Sequence, residues 1–479
     1  PIIDWGFRFQ RPQQLMSRFA AAGHRVFYVG LTLRAEGPPY ELRPVAENVY
    51  EVSLRGPALN VYTGALDAAG RDEVFAGLDA LRREAGLGAT AVFVQLPFWW
   101  PVAARARDAL AWTVVYDCMD DHAGFSTNRP QMLDQEQALL EGAALVLASS
   151  RVLYDRCRAA NANTLLLPNA CDYAHFAAVP MRAPGPRPVV GYYGAIADWF
   201  DADLVADLAQ RRPHWDFLLV GSTFSADTSR LQLLDNVTLA GEQPYADLPS
   251  WIARMDVLLL PFKRLPLTEA TSPVKLYEIL AAGKPLVSVP LPEVSPLQPL
   301  VRTAGSAAEF DAAVSAALAE EGAGPVEERR RFARANTWQQ RFEELLPRVR
   351  EAFPRASVVV VTYNNEDLNR QCLESVYART EWPHFELIVV DNASGDGTPA
   401  LLEREQARRE RLAVVLNREN RGFAAANNQG LEKASGAFLV LLNNDTVVSR
   451  GWLTALVRHL TADPYIGLVG PVTNAIANA

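Results

Sequence analysis

The residues whose spacing carries the most chemistry lie near the end of the chain. The apolar run Phe438-Leu439-Val440-Leu441-Leu442 stops abruptly in Asn443-Asn444-Asp445-Thr446. A run of this kind bounded by polar turn residues reads as a buried strand of a parallel sheet. Ligands collect at the carboxyl ends of such strands. A carboxylate there, Asp445, suits a hard divalent cation whose other ligands are phosphate oxygens and water. Asn and Asp also make ordinary turns, so this stretch alone leaves both readings open. Neighbouring strand ends repeat the composition. Thr362-Tyr363-Asn364-Asn365 follows the strand at 357–361, and Asp391-Asn392-Ala393-Ser394-Gly395-Asp396-Gly397-Thr398 follows that at 386–390. Asn420-Arg421-Gly422-Phe423 comes after the strand at 412–416. Turn chemistry explains each cluster singly and their joint placement poorly.

Three earlier constellations carry charge at places where it could work. In Ser272-Pro273-Val274-Lys275-Leu276-Tyr277-Glu278, Ser272 reads as an N-cap and Pro273 as the first helical residue, with Gly283 and Pro285 ending the helix about three turns on. Lys275 then lies in the first turn, where the helix dipole disfavours a cation unless an anion shares that end. Glu278, one turn along the same face, could accept hydrogen bonds from sugar hydroxyls; a solvated Lys–Glu pair is the plain alternative. Asp117, Asp120, Asp121 and His122 follow a strand ending at Tyr116. Asp120 and His122 are the acid–base candidates, against an equal reading as a capping cluster. Arg8 and Arg11, with Gln10 and Pro12, sit above the first strand, to hold a phosphate or an anionic acceptor or to begin a solvated helix.

The elements that must position these residues alternate strand and helix. Asp4-Trp5-Gly6 turns into a helix bearing Leu15, Met16 and Phe19, with residues 1–3 as the tail of a strand before it and Gly23 as its end. Strands at 25–29, 91–95, 113–116 and 144–148 alternate with helices, which means βαβ units and a parallel sheet. A linker with three prolines at 182–188 precedes a second set of strands at 189–194, 215–221 and 257–261. Residues 346–355 read as a second linker. The 479 residues suggest about three domains: 1–180, 185–350 and 356–479. A net charge of -9 argues against nucleic acid as a partner. Cys118, Cys157, Cys171 and Cys372 show no Cys-x-x-Cys spacing and read as reduced thiols of a cytoplasmic protein. No apolar run reaches the ~20 residues of a spanning helix, and there is no signal peptide. The initial Pro and the small-residue tail at 474–479 read as cut ends. No Gly-x-Gly-x-x-Gly follows the first strand, which counts against a nucleotide-dependent oxidoreductase.

Residues 1–350 resemble a GT-B glycosyltransferase of family 4, the glycosyl transferases group 1. Asp4-Trp5 through Gln10-Arg11-Pro12, Leu167-Pro168-Asn169-Ala170-Cys171-Asp172, the stretch from Ser272 to Pro285, and Asn336-Thr337-Trp338 with its following helix carry the resemblance. It implies that Glu278 holds the nucleotide ribose, that Lys275 holds the diphosphate, and that this unit needs no metal. Two features depart from the pattern. Ala270 stands where a further Glu is common, with Glu269 one place off register. No Arg–Lys pair follows the strand at 189–194, so Lys263 or Arg264 is the candidate to supply that charge.

Residues from 356 resemble a family 2 glycosyltransferase of GT-A fold, of the rhamnosyltransferase-like kind, on Thr362-Tyr363-Asn364, Asp391-Asn392-Ala393-Ser394, Asp396-Gly397-Thr398, Asn420-Arg421-Gly422-Phe423 and Leu442-Asn443-Asn444-Asp445. The resemblance implies donor binding by Thr362, Asn364, Asp391, Asn420, Asn443 and Asn444, and Mg2+ or Mn2+ held by Asp445. Asn443 replaces the first carboxylate of an Asp-x-Asp motif. An acceptor base would come later than Asp445, and Asp463 is not assigned to that role. The combined expectation is an α/β chain, GT-B followed by a partial GT-A unit. It would move sugars from UDP-, GDP- or dTDP-sugar donors to a glycan or lipid-linked acceptor of a bacterial surface polysaccharide, at the inner face of the plasma membrane. The alternative makes the first 350 residues a non-catalytic scaffold for a single family 2 transferase.

Overall fold

The structure, a computed structural model, describes residues 1–471 apart from 126–128, 181–184, 224 and 321. The first three residues of the expected proline linker, 182–184, and the tail at 474–479 therefore lie outside the described residues. The chain forms two compact units. The first comprises residues 1–67, 93–100 and 116–345; the second comprises 68–92, 101–115 and everything from Leu346. Residues 68–92 and 101–115, inside the expected first half-domain, thus belong to the second unit, where Ala106, Leu110 and Trp112 pack with Phe75, Leu78 and Val92.

The first unit opens with no strand at 1–3; those residues are irregular. They are tied down by the Tyr28 hydroxyl, which donates to the Ile3 carbonyl at 2.8 Å. Helix Arg11–Ala21 buries Leu15 and Phe19 and leaves Met16 partly exposed. The next strand, Val26–Val29, pairs in parallel with Val49–Leu54, which pairs in antiparallel fashion with Tyr40–Ala46. This hairpin went unread because Tyr40-Glu41-Leu42-Arg43-Pro44 is polar and mostly exposed, with none of the apolar density of the other strands. Strand Thr113–Cys118, of which only residues from Tyr116 belong to this unit, and strands Leu145–Ala148 and Thr164–Leu166 follow.

The second half of this unit is a six-stranded parallel sheet. In space its strands run Val237–Leu239, Asp216–Val220, Val189–Tyr193, Val257–Leu260, Leu286–Ser288, Arg302–Thr303. Counted along the chain, that is the order 3-2-1-4-5-6 of a doubly wound Rossmann sheet. Its apolar strands are buried on both faces, as covered parallel sheets require. Helix Trp338–Ala352 buries Trp338, Phe342, Leu345 and Val349 at the expected helical spacing. It runs to Ala352, so the expected linker at 346–355 is mostly helix; Pro347 sits inside it.

The second unit contains a four-stranded parallel sheet, in space Leu412–Leu416, Phe385–Asp391, Ala356–Thr362, Phe438–Asn443. This is the order 3-2-1-4. All four carboxyl ends therefore lie along one edge, and the winding reverses between Ala356–Thr362 and Phe438–Asn443. Helices Glu366–Arg379, Thr398–Arg408, Phe423–Lys433 and Trp452–Thr461 connect and flank the strands.

Candidate active sites

The pieces that resemble group 1 transferases are far apart in the chain and meet in the first unit. Arg11 is fully buried and its Nε bonds Asp117 Oδ1 at 2.9 Å, while Nη1 donates to the Leu167 carbonyl at 2.9 Å and to Asn169 Oδ1 at 3.2 Å. Asn169 Nδ2 donates to the Ser272 carbonyl at 2.6 Å. The Cys171 N–H donates to the Asn336 carbonyl, the Trp338 N–H donates to the Cys171 carbonyl, and Arg341 Nε donates to the Pro168 carbonyl at 3.1 Å. Arg11 and Asp117 are accordingly a buried structural pair. Neither is available to hold an anion or to shuttle a proton.

Helix Val274–Ala281 spans eight residues, about two turns rather than three. Its N-cap is Pro273, not Ser272; Ser272 is buried one place earlier, where its Oγ accepts from the Asn169 N–H at 3.4 Å. Lys275 still falls in the first turn, and its chain lies across Gly194, the residue after the first strand of the Rossmann sheet. A Cβ at Gly194 would sit 2.0 Å from Lys275 Cε, and a Cβ at Gly221 would sit 1.8 Å from the Gly194 carbonyl oxygen. Both glycines have positive φ, +122° and +157°. Only backbone fits here, so two strand-end loops and a lysine close on one another at the topological switch point.

Glu278 is buried on the same helix, and the Tyr193 hydroxyl donates to its Oε2 at 2.8 Å. Burial pushes the Glu278 carboxyl up to about 7, against the opposing pull of the Tyr193 hydrogen bond and the Lys275 charge. Burial likewise holds the Lys275 ammonium below the usual lysine range; Glu278 opposes this and Arg8 adds to it. Glu278 is thus buried and Lys275 partly buried, where the plain alternative had both solvated. Tyr193, Gly194 and Gly221 were missed, although a glycine directly after each of two strands was the visible signal.

The remaining candidates of this unit divide. Asp121 caps the short 3-10 helix His122–Gly124, accepting from the Ala123 N–H at 3.2 Å, and pairs with Arg156. The capping reading therefore holds for Asp121. Asp120 and buried His122 stay together: burial holds the Asp120 carboxyl above the usual carboxylate range, and the nearby His122 charge is the leading influence against it. Their turn packs on helix Pro266–Glu269 of the other half, since a Cβ at Gly124 would meet Leu267 Cβ at 2.8 Å. Glu269 pairs with Arg264 at 2.8 Å, which occupies both off-register candidates. Lys263 is exposed and lines a shallow cleft with Phe200, Asp203, Asp227 and Arg230. No hydrogen bond or ion pair joins it to Lys275 or Glu278 among the described residues.

In the second unit every strand-end cluster is wired to the next. Asp391 is buried and accepts from Thr362 Oγ1 at 2.8 Å, from the Ser394 N–H at 3.0 Å and from the Ser394 hydroxyl. Ser394 Oγ accepts from the Asn364 N–H at 2.7 Å, and Asn364 Oδ1 accepts from the Gly395 N–H at 2.8 Å. Asn364 has φ +56° and Asn365 +64°, a left-handed pair that bends the chain at the sheet edge. Asn392 donates to Asn420 Oδ1 at 2.8 Å and accepts from the Arg421 N–H at 3.0 Å. Asn444 Nδ2 donates to Asn369 Oδ1 at 2.7 Å, and Asn369 donates in turn to the Asn364 carbonyl and to Thr398 Oγ1, both at 2.9 Å. Asn369, on helix Glu366–Arg379, is the joint sequence reasoning missed; a buried Asn inside an otherwise ordinary helix was its only mark.

Asn443 and Asp445 stand apart from this wiring. Both are exposed, and the Asp445 carboxylate makes no hydrogen bond or ion pair among the described residues. It follows strand Phe438–Asn443 at the switch point, opposite the Thr362–Asn364 turn. Among the described residues no group of three His, Cys, Asp or Glu could hold a metal by itself. A cation at Asp445 would thus need ligands from outside the protein, as a bound diphosphate with water supplies.

Two Rossmann-type sheets, each with polar or charged side chains at its switch point, define an α/β protein of two units. The families are specific. Residues 187–321 match the family described as Glycosyl transferases group 1, and residues 357–478 match Glycosyl transferase family 2. The group 1 match thus precedes the family 2 match along the chain. Sucrose-phosphate synthase from Thermosynechococcus elongatus superposes with a TM-score of 0.56 at 17% identity, covering 71% of this chain and 92% of that one. Anabaena HepE, solved with UDP and glucose, gives 0.53 at 15% identity over 72% and 97%. These likenesses show the GT-B fold. Among curated relatives, the Bacillus subtilis protein TuaH, a glycosyltransferase named for teichuronic acid biosynthesis, is 29% identical over 49% of this chain and 66% of its own length. TuaG of the same organism, named for the same process, is 38% identical over 19% of this chain and 36% of its own. The chain thus spans less than two thirds of either relative. No described helix is long and apolar enough to cross a membrane.

Proposed function

We propose that the chain is a tandem glycosyltransferase of bacterial cell-surface polysaccharide synthesis. It would take nucleotide-sugar donors and pass the sugar to a glycan or lipid-linked acceptor, working at the cytoplasmic face of the membrane. The carrying observation is the contrast at the second sheet edge. The side chains of Asp391, Asn364, Asn392 and Asn444 are each hydrogen-bonded to Thr362, Gly395, Asn420 and Asn369 respectively, while the Asp445 carboxylate at the switch point has no such partner among the described residues. A bare carboxylate beside a diphosphate is repulsive, so a bridging Mg2+ or Mn2+ is required there. That cation, when bound, neutralises the charge that develops on the departing nucleoside diphosphate. Asp391, with Thr362 and Ser394 fixing both its oxygens, would present a rigid acceptor to base or ribose. Asn420 and Asn443 line the same edge.

In the first unit Lys275 and the N–H groups opening helix Val274–Ala281 would take the diphosphate without a metal. Glu278 would take the ribose hydroxyls, and Asp120 with His122 are the acid–base pair at the cleft. Lys263 stays a candidate for the donor's outer edge only. The scaffold alternative is not favoured, because the group 1 match falls on the half that carries Lys275 and Glu278.

The test is equilibrium binding of UDP-, GDP- and dTDP-sugars by the full chain, in Mn2+ and in EDTA. Binding that needs Mn2+ should vanish in Asp445→Asn, and binding that persists in EDTA should vanish in Lys275→Ala. A point variant is preferred to truncation at residue 350, which would cut helix Trp338–Ala352. Metal-dependent binding untouched by Asp445→Asn would overturn the assignment of the second unit.

A further inference from the structure

We propose that Arg8 is a second phosphate ligand of the first unit and that Glu242 is its gate, the donor's diphosphate replacing the Glu242 carboxylate as the partner of Arg8. This rests on the reading of Lys275 as a diphosphate ligand. Arg8 belongs to the first half and Glu242 to the second, and Arg8 Nε lies 2.6 Å from Glu242 Oε1. Glu242 follows Gly241 in the loop after strand Val237–Leu239. The Gly241 carbonyl accepts from the Gly221 N–H at 2.8 Å, Gly221 lies against Gly194, and Gly194 carries the Lys275 chain. Three consecutive strand ends of the sheet and the start of helix Val274–Ala281 therefore form one continuous edge. Glu242 brings Arg8 onto that edge.

Arg8 and Arg11 are three residues apart and differently employed. Arg11 is sealed on Asp117, with side-chain exposures of 1% and 0%; Arg8 and Glu242 are 30% and 43% exposed. An exposed pair of this kind is weak and can be exchanged, whereas a planar guanidinium on a phosphate makes paired charge-assisted bonds. The same loop is steadied by Tyr245, whose hydroxyl accepts from Gln14 Nε2 at 3.0 Å and whose ring lies 5.5 Å from Phe9. The Arg8 charge also reaches the lysine, since it is among the causes that hold the Lys275 ammonium below its usual range. Arg8, through Glu242, and Lys275, through Gly194, are thus both tied to this one edge. The sequence lacks an Arg–Lys pair after strand Val189–Tyr193, and Arg8 would supply from the other half the charge missing there.

The experiment titrates the full chain with UDP-glucose, GDP-mannose and dTDP-glucose in EDTA, which silences any metal-dependent site, and follows the tightest of the three. Arg8→Ala should weaken binding by about 10- to 100-fold, and Arg8→Lys by less. Glu242→Gln should tighten it several-fold by releasing Arg8, and should have no effect once Arg8 is Ala. Melting curves check that the variants fold. If Arg8→Ala leaves binding unchanged while Lys275→Ala abolishes it, the inference fails and the site reading stands. If Arg8→Ala and Glu242→Gln both weaken binding, the pair is a structural tie and the gate is refuted. If nothing binds in EDTA, or Lys275→Ala is neutral, the site reading falls and takes the inference with it.

Discussion

Glu278→Gln is the substitution whose outcome the geometry fixes most tightly. The carboxyl moves from an ordinary 4.5 to about 7 because it is buried. At ~1.4 kcal/mol per pH unit, that is about 3 kcal/mol between its two protonation states. Below pH 4.5 the group is protonated in folded and unfolded chain alike, and the stabilisation of the neutral form is fully present. Between 4.5 and 7 the unfolded chain releases the proton and the folded chain keeps it, so stability falls with rising pH; above 7 the loss is complete. Gln keeps an oxygen for the Tyr193 hydroxyl and never ionises. The variant should therefore gain on the wild type by about 3 kcal/mol between pH 4.5 and pH 8. Scanning calorimetry across that range reads the difference, following the transition that responds to the variant because the two units need not melt together. Donor binding supplies a second readout. If ribose hydroxyls require the ionised carboxylate, wild-type affinity should weaken about tenfold from pH 8 to pH 6. A wild-type-minus-variant stability difference that is flat with pH would refute the reasoning.

Other perturbations give sharper yes-or-no answers. Asp117→Asn strands the fully buried Arg11 guanidinium and should cost about 3–5 kcal/mol of the first unit's stability in urea unfolding; an effect below about 1 kcal/mol would mean the pair is not sealed. Gly221→Ala forces a methyl into the Gly194 carbonyl at a positive φ and should lower the melting temperature while releasing Lys275; unchanged melting and unchanged donor binding together would contradict the tight edge. The thiols of Cys118, Cys157, Cys171 and Cys372 are all buried, so a thiol reagent should label them only after unfolding, and fast labelling of the native chain would contradict that burial.

The legible part of this chain was whatever apolar density writes. The strands at 189–194, 215–221 and 257–261 and those from 357 to 442 are dense in aliphatic and aromatic residues, and they appear within a residue or two of expectation. Helix boundaries were less legible. Ser272 has the chemistry of an N-cap, yet its hydroxyl and carbonyl are taken by Asn169, 103 residues away, and the helix begins beyond it. Residues 346–355 looked like a linker because proline and charge dominate, but Leu345 and Val349 anchor that segment as helix. For the sites, residue type was legible and partnership was not. Asp117 and Asp120 are three residues apart in one acidic cluster, and only long-range pairing separates a structural carboxylate from a candidate catalytic one. The same holds for Arg8 and Arg11.

The two sheet edges face one electrostatic problem with opposite charges. A diphosphate leaving group must be neutralised as its bond to the sugar breaks. At the first edge the protein has a cation of its own, Lys275 on a helix start, and on the inference above Arg8 would join it. At the second it brings an anion, Asp445, with Asn443 where a further carboxylate could have stood. A site with Asp445 as its single carboxylate ligand would be weak for a metal alone and would leave most of the coordination to the donor. On the proposed reading metal and donor would be bound together or hardly at all, since each would supply what the other lacks. At the first edge burial already disfavours the Lys275 charge, so an anion is what restores it. Each edge is thus incomplete in the charge that a nucleotide-sugar, with or without its cation, would bring.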